Sequence, residues 1–214
     1  QPHAVAGTHR RHRRLALGPR VGAGRRSAHR RRHQHLPGRG ARRRGEGPGA
    51  GKPCAFIRLS HCNLACHWCD TDYTWNFDRH DRKANQVMLS EADAAARIVA
   101  LGQSRLVITG GEPLLQAPAL ARTIALLPPQ MPPMHIEVET NGTVVPPAVL
   151  DALVHQYNVS PKLRHSGNPA EIALNSSVLS AWARKPQAYF KFVISAPEDL
   201  AEVLALQKTH AIAP

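Results

Sequence analysis

From residue 45 onward the apolar positions fall into short runs and helical stripes that alternate along the chain. Residues 55–59 form an apolar run of strand length, interrupted only by Arg58. Ser90, with Asp93 three residues on, resembles a capping box. Ala94, Ile98 and Leu101 follow at helical spacing and predict a helix to about Ala100. Residues 105–109 predict a second strand, ending in Gly110-Gly111-Glu112-Pro113. Residues 117–127 read as a helix, closed by the proline-rich stretch 128–133. Residues 135–140 read as a strand turned by Asn141-Gly142. Pro147 suits the first turn of a helix to His155. A strand at 157–160, a helix at 178–184, a strand at 189–194 and a helix at 197–209 complete the pattern.

Five strands alternating with helices of roughly ten residues predict βαβ units, a parallel sheet and an α/β fold. Such a fold places reactive groups where its strands end. The polar motifs follow strands: Cys62–Cys69, Gly110–Pro113, Asn141-Gly142 and Ser160-Pro161-Lys162. They are expected to converge on one face.

Charge divides the chain in two. The net charge is +13 and the pI about 10.6, which first points to nucleic acid. Residues 1–50 hold 14 of the 28 basic residues, all Arg, and one acid, Glu46; residues 51–214 hold 14 of each sign. The basic signal therefore belongs to one segment. Residues 1–43 lack Ile, Phe, Tyr, Trp, Met and Cys, so they are expected to be disordered. Residues 44–214 are expected to be the domain. The segment reads as a solvated tail, with an RNA-binding arm as an alternative. Arg without Lys, and a first residue other than Met, also fit a GC-rich stretch translated in the wrong frame, which would make the segment non-native. It lacks the apolar core of a secretory signal, and no apolar run of about 18 residues predicts a membrane span. Three of four cysteines sit together, which fits a reducing cytoplasm better than a disulfide framework.

Those three, Cys62, Cys66 and Cys69, have the spacing C-x3-C-x2-C. Three thiolates can hold three corners of a 4Fe–4S cube and leave the fourth iron open to a ligand. Structural zinc, with His61 or His67 as fourth ligand, is the alternative. A Gly-Gly-Glu-Pro loop weighs against it, because structural zinc has no need of one. Gly110-Gly111 permits close backbone approach to a ligand, and Glu112 offers a carboxylate, although a simple β–α turn reads the same way. Thr71, between Asp70 and Asp72, is either a hard-cation ligand or a helix cap; local sequence favours the cap. Arg58 within an apolar strand marks an anion site if it points inward. Trp68 shields the cysteines or is ordinary core, and Cys54 reads as core.

The cysteine motif together with Gly110-Gly111-Glu112-Pro113 resembles the radical S-adenosylmethionine superfamily. Three runs resemble, more closely, the 7-carboxy-7-deazaguanine synthase family. They are Gly45-Glu46-Gly47-Pro48 with Phe56-Ile57-Arg58-Leu59; Cys62-Asn63-Leu64 through Trp68-Cys69-Asp70-Thr71; and Glu139-Thr140-Asn141-Gly142-Thr143 with Ser160-Pro161-Lys162. Phe190-Lys191-Phe192-Val193 also fits, and the likeness covers about residues 45–209. The resemblance implies an incomplete (β/α)6 barrel and a lyase of queuosine biosynthesis. Cys62, Cys66 and Cys69 would hold the cluster; Trp68, Cys69, Asp70, Gly111, Glu112, Ser160, Pro161 and Lys162 would line the S-adenosylmethionine site. Thr71 would ligate Mg2+, reversing the local reading. Arg44, Gly45, Glu46, Arg58 and Thr109 would hold 6-carboxy-5,6,7,8-tetrahydropterin. The implied product is 7-carboxy-7-deazaguanine, formed by radical ring contraction with loss of ammonia. A reductant such as flavodoxin and a homodimer are also implied.

Two departures qualify the resemblance. Arg44 stands where the family has Gln. The chain stops at Pro214, where the family continues through a last strand carrying an Arg and a His. A lacking sixth strand is expected to leave an unpaired barrel edge and lower stability. Alternative readings are an activase of the same superfamily that places a glycyl radical on a protein, a zinc-stabilised binding module, and a nucleic-acid binder acting through the Arg-rich tail.

Overall fold

The computed structural model describes residues 14–18, 42–43, 46–129 and 133–213. The strands are β1 (Arg14–Leu17), β2 (Arg42–Arg43), β3 (Pro53–Leu59), β4 (Val87–Ser90), β5 (Arg105–Gly110), β6 (His135–Thr140), β7 (Gln156–Val159) and β8 (Ala188–Phe190). The helices are α1 (Arg82–Asn85), α2 (Glu91–Ala100), α3 (Ala117–Ala125), α4 (Ala148–Asp151), α5 (Ala170–Ala173), α6 (Ser176–Ala183) and α7 (Asp199–His210).

One sheet runs in the order β4-β1-β3-β5-β6-β7-β8, with β2 also beside β3. From β3 to β8 every pairing is parallel, which gives the expected α/β core. The five strands read from the sequence are all present. The last stops at Phe190, and the helix after Pro147 lasts one turn. Ser90 caps α2 as its spacing predicts: its Oγ accepts from Asp93 N at 3.1 Å and donates to Asp93 Oδ2 at 2.6 Å.

Disorder across residues 1–43 is corrected at two places. Arg14–Leu17 is a strand lying antiparallel between β4 and β3, and Arg42–Arg43 pairs with the start of β3. Leu15 and Leu17 are buried in the main core. Gln116 clamps β1: its Oε1 accepts from Ala16 N at 2.8 Å, and its Nε2 donates to Ala16 O and Ser60 O. Composition misses β1 because its partners, β3, β4 and Gln116, are distant in sequence. The rest of residues 1–43 lies outside the described residues.

The strands have two differently packed faces, as the pleat requires. Ala55, Ile57, Leu106, Ile108, Ile136, Val138, Tyr157 and Val159 pack toward α2, α3 and α6 in the main core. On the opposite face Cys54, Phe56 and Val107 form a separate small cluster, so Cys54 is core as read. That face is otherwise polar, carrying Arg58 on β3, Glu137 and Glu139 on β6, and Asn158 on β7. Buried Glu137 pairs with Arg105 and lies against Gly49, where an added Cβ would sit 2.3 Å from its carboxylate. The turn at residues 46–49 thereby closes against the polar face, and charged groups are left at the strands' C-terminal ends.

Candidate active site

His61 turns the chain from β3 into the cysteine loop with φ 73, a left-handed conformation costly for a residue with a Cβ. Its backbone is held on both sides: His61 N donates to Thr74 O at 2.8 Å, and His61 O accepts from Glu112 N at 2.8 Å. The second bond brings the loop against Gly111, where a Cβ would sit 2.1 Å from His61 O. Only glycine permits that approach.

Cys62, Cys66 and Cys69 line one cleft with Trp68, Asp70 and Thr71. Cys69 N donates to Cys66 O at 3.1 Å, and His67 N donates to Ser166 O at 3.0 Å. Burial pushes the Cys62 thiol up to about 11, against the pull of the Leu64 backbone. Burial also raises Cys66, opposed by the Asn168 amide. Thr71 heads the turn at residues 72–74 without capping it; its Oγ1 lies 3.8 Å from Cys69 Sγ. The local cap reading is thereby corrected.

The opposite wall holds both signs of charge. Arg58 reaches from β3 with its guanidinium over the Phe56 ring and Nη1 3.4 Å from Gly110 O. Lys162 Nζ bonds Ser160 Oγ at 3.0 Å and lies over the Trp68 ring; burial lowers its pKa. Lys191, just past β8, pairs with Glu46. Glu139 sits between them on β6, its pKa raised by burial and then by Glu46. Of the residues singled out from the sequence, Glu46, Arg58, Trp68, Asp70, Thr71, Thr109, Gly111, Ser160, Lys162 and the three cysteines line this single cleft.

A family model described as the Radical SAM superfamily matches residues 57–162, from β3 through the cysteine loop to Lys162. The chain belongs to the radical SAM superfamily. A 7-carboxy-7-deazaguanine synthase of Pyrobaculum aerophilum is 34% identical over 74% of this chain and 66% of its own length. Those of Hyperthermus butylicus and Halobacterium salinarum are each 33% identical, over 74% and 76% of this chain and 64% of their own length. The chain thus spans just under two thirds of the length of these relatives. A crystal structure of QueE from Escherichia coli superposes with TM-score 0.47 at 21% identity, over 78% of this chain and 88% of that one.

Radical SAM membership implies a 4Fe–4S cluster and S-adenosylmethionine, and the donor set fits. A cube takes each thiolate at a separate iron. Among the described residues no group of three or more His, Cys, Asp and Glu is disposed around a single ion. Neither candidate histidine joins the sulfurs: His61 Nε2 lies 2.9 Å from the Gln86 amide, and the His67 ring packs on Gly167.

Of the expected site residues, two are not described and two fall off the cleft. Arg44 and Gly45 lie outside the described residues. Pro161 is buried and does not line the cleft. Glu112 is fully buried and also off the cleft: Leu114 N and Thr140 Oγ1 donate to its Oε1 at 2.9 Å each, and Asn141 N donates to its Oε2 at 2.7 Å. It braces the radical SAM site without facing it. Sequence reasoning missed Glu139, Asn158 and Lys191 as wall residues. The alternation of His135, Glu137 and Glu139 with Ile136 and Val138 was the available signal for Glu139.

Proposed function

We propose that this radical SAM chain converts 6-carboxy-5,6,7,8-tetrahydropterin to 7-carboxy-7-deazaguanine by radical ring contraction with loss of ammonia. The observation that carries the reading is the meeting, in one cleft at the C-terminal ends of parallel strands, of the three-cysteine loop with Arg58, Lys162, Lys191, Glu46 and Glu139. A carboxylated, hydrogen-bonding heterocycle suits that mixture of cations and acids. The relatives' name, 7-carboxy-7-deazaguanine synthase, supports the same product.

Cys62, Cys66 and Cys69 hold the cluster, and Trp68, Asp70, Gly111, Ser160 and Lys162 line the S-adenosylmethionine side. When bound, these cofactors supply a 5′-deoxyadenosyl radical for hydrogen abstraction. The chain's own contribution is position and dryness. Arg58 grips the pterin carboxylate, and Thr109, Glu139 and Glu46 face the ring's polar edge. Thr71, uncapped and beside Asp70, offers its hydroxyl to Mg2+. The reading also entails a flavodoxin-type reductant, a homodimer and a cytoplasmic location. Among the described residues no helix is long and apolar enough to cross a membrane.

The test is anaerobic reconstitution followed by incubation with dithionite, S-adenosylmethionine, Mg2+ and the carboxytetrahydropterin, with mass spectrometry for 7-carboxy-7-deazaguanine. Product is expected. Cluster-loaded protein that cleaves S-adenosylmethionine but makes no such product would overturn the substrate assignment.

A further inference from the structure

Each of the three cysteine sulfurs receives an N–H from a side chain outside the cysteine loop. Asn168 Nδ2 donates to Cys66 Sγ at 3.2 Å, Trp75 Nε1 to Cys69 Sγ at 3.4 Å, and Asn141 Nδ2 to Cys62 Sγ at 3.8 Å. The donors come from three places: the turn before α5, the segment after residues 72–74, and the end of β6.

All three are anchored, so their orientation is set. Asn168 Oδ1 accepts from Ala65 N at 2.8 Å, which fixes which face of the amide turns to Cys66. Asn141 Oδ1 accepts from Thr143 N at 3.0 Å and Thr143 Oγ1 at 2.6 Å, while Asn141 N is held by Glu112. Trp75 N donates to Asp72 O at 3.0 Å. Flipping either amide would break a backbone hydrogen bond. A structural role alone does not require one donor per sulfur.

We propose that Asn141, Asn168 and Trp75 are positioning residues that set the reduction potential of the 4Fe–4S cluster through the sulfurs of Cys62, Cys66 and Cys69. The inference rests on the cluster assignment made above. Reduction adds negative charge that is shared with the thiolate sulfurs. An N–H aimed at a sulfur stabilises the more negative state, so each donor raises the potential. The cleft is partly buried, which strengthens the effect by limiting competition from water.

Three substitutions remove a donor and keep the ring or acceptor beside it; the bonds from Asn168 Nδ2 to Ser166 Oγ and from Asn141 Nδ2 to Asn63 Oδ1 go with the N–H. Trp75→Phe keeps an aromatic ring without the N–H. Asn168→Asp keeps the acceptor for Ala65 N, and Asn141→Asp keeps the acceptor for Thr143; each also adds a carboxylate that lowers the potential by itself, so the uncharged Trp75→Phe is the deciding variant. The full chain is reconstituted anaerobically, and the cluster's midpoint is read by redox titration with electron paramagnetic resonance, beside iron and sulfide content. Each variant is expected to keep its cluster and titrate at a more negative potential. A tenfold fall in the reduced-to-oxidised ratio at the wild-type midpoint corresponds to about 59 mV for a one-electron couple. Trp75→Phe with Asn168→Asp is expected to shift by about the sum of the singles, since they act on different sulfurs. Variants with full clusters and the wild-type midpoint would overturn this inference alone. A wild-type chain that assembles no 4Fe–4S cluster would overturn the functional reading and this inference with it.

Discussion

The backbone N–H of Asn141 donates to the buried carboxylate of Glu112 at 2.7 Å, tying the end of β6 to the Gly110-Gly111 turn. Leu114 N and Thr140 Oγ1 share the same carboxylate. Glu112→Ala would leave three donors unpaired where no water reaches, and each unpaired group costs about 1–3 kcal/mol. The expected loss is roughly 3 kcal/mol or more, read by denaturant unfolding of the metal-free chain. A loss below about 1 kcal/mol would show that the turn relaxes onto other acceptors.

The same carboxylate makes stability depend on pH. Burial raises its pKa from 4.5 to about 7, against its three donors. The folded state therefore holds the proton more tightly than the unfolded chain. The resulting stability is fully present below about pH 4.5 and is lost as pH rises through about 7. Metal-free wild type should melt at a lower temperature at about pH 8 than at about pH 5 from this group. Glu112→Gln keeps an acceptor for Leu114 and Thr140 but cannot titrate, so its melting curve should be flatter across that window. Parallel profiles for the two proteins would assign the dependence to other groups.

Gly111 meets backbone rather than a movable side chain, since a Cβ there would lie 2.1 Å from His61 O. Gly111→Ala must push the cysteine loop away from the turn and strain the bond between Glu112 N and His61 O. Overpacking of this kind costs about 1–3 kcal/mol. More telling than the stability loss is the expected fall in iron bound per chain, because Cys62 follows His61 directly. Iron content equal to wild type would mean that the loop tolerates the shift.

What was legible in the sequence is local. Ser90 caps with Asp93 in the next turn, and the three cysteines fall within eight residues. What was not legible depends on distant partners. Leu15-Ala16-Leu17 is three apolar residues in an Arg-rich stretch, and its strand exists because β4 and Gln116 satisfy its backbone. Val87–Ser90 escaped notice for the reciprocal reason, since β1 is its partner. The cleft shows the same division. Arg58 stands out as a lone cation between apolar neighbours, whereas Asn158 looks unremarkable until β6 and β8 flank it. Glu112 drew attention as a motif residue, but three donors turn its carboxylate inward, and no local pattern encodes them.

The clamp on β1 is open to a direct check. Gln116→Leu keeps the volume but removes the acceptor of Ala16 N and one donor each to Ala16 O and Ser60 O, leaving Ala16 O the Ser60 N–H at 2.9 Å. The strand itself should loosen before the domain does, because β4 and β3 still flank it. Hydrogen exchange at Leu15 to Leu17 is expected to speed up relative to β5 and β6, with about 1–3 kcal/mol lost overall. Uniform acceleration across the sheet would show that β1 is part of one cooperative core.

Arg58 gives the sharpest functional test of the cleft. Its guanidinium is fixed over the Phe56 ring and beside Gly110 O, so its free N–H edge is presented to the cleft in one orientation. A planar fork can hold a carboxylate through two parallel bonds, whereas an ammonium offers only a point charge. Arg58→Lys keeps the charge and loses the fork. If the pterin carboxylate is the ligand, KM for the carboxytetrahydropterin should rise about tenfold or more, equivalent to roughly 1.4 kcal/mol. Cluster content should stay at the wild-type level, because the Arg58 guanidinium rests on Gly110 O and the Phe56 ring rather than on the cysteine loop. A variant with wild-type KM would remove Arg58 from the substrate's carboxylate and leave Lys191, on the same wall and paired with Glu46, as the next cation to test.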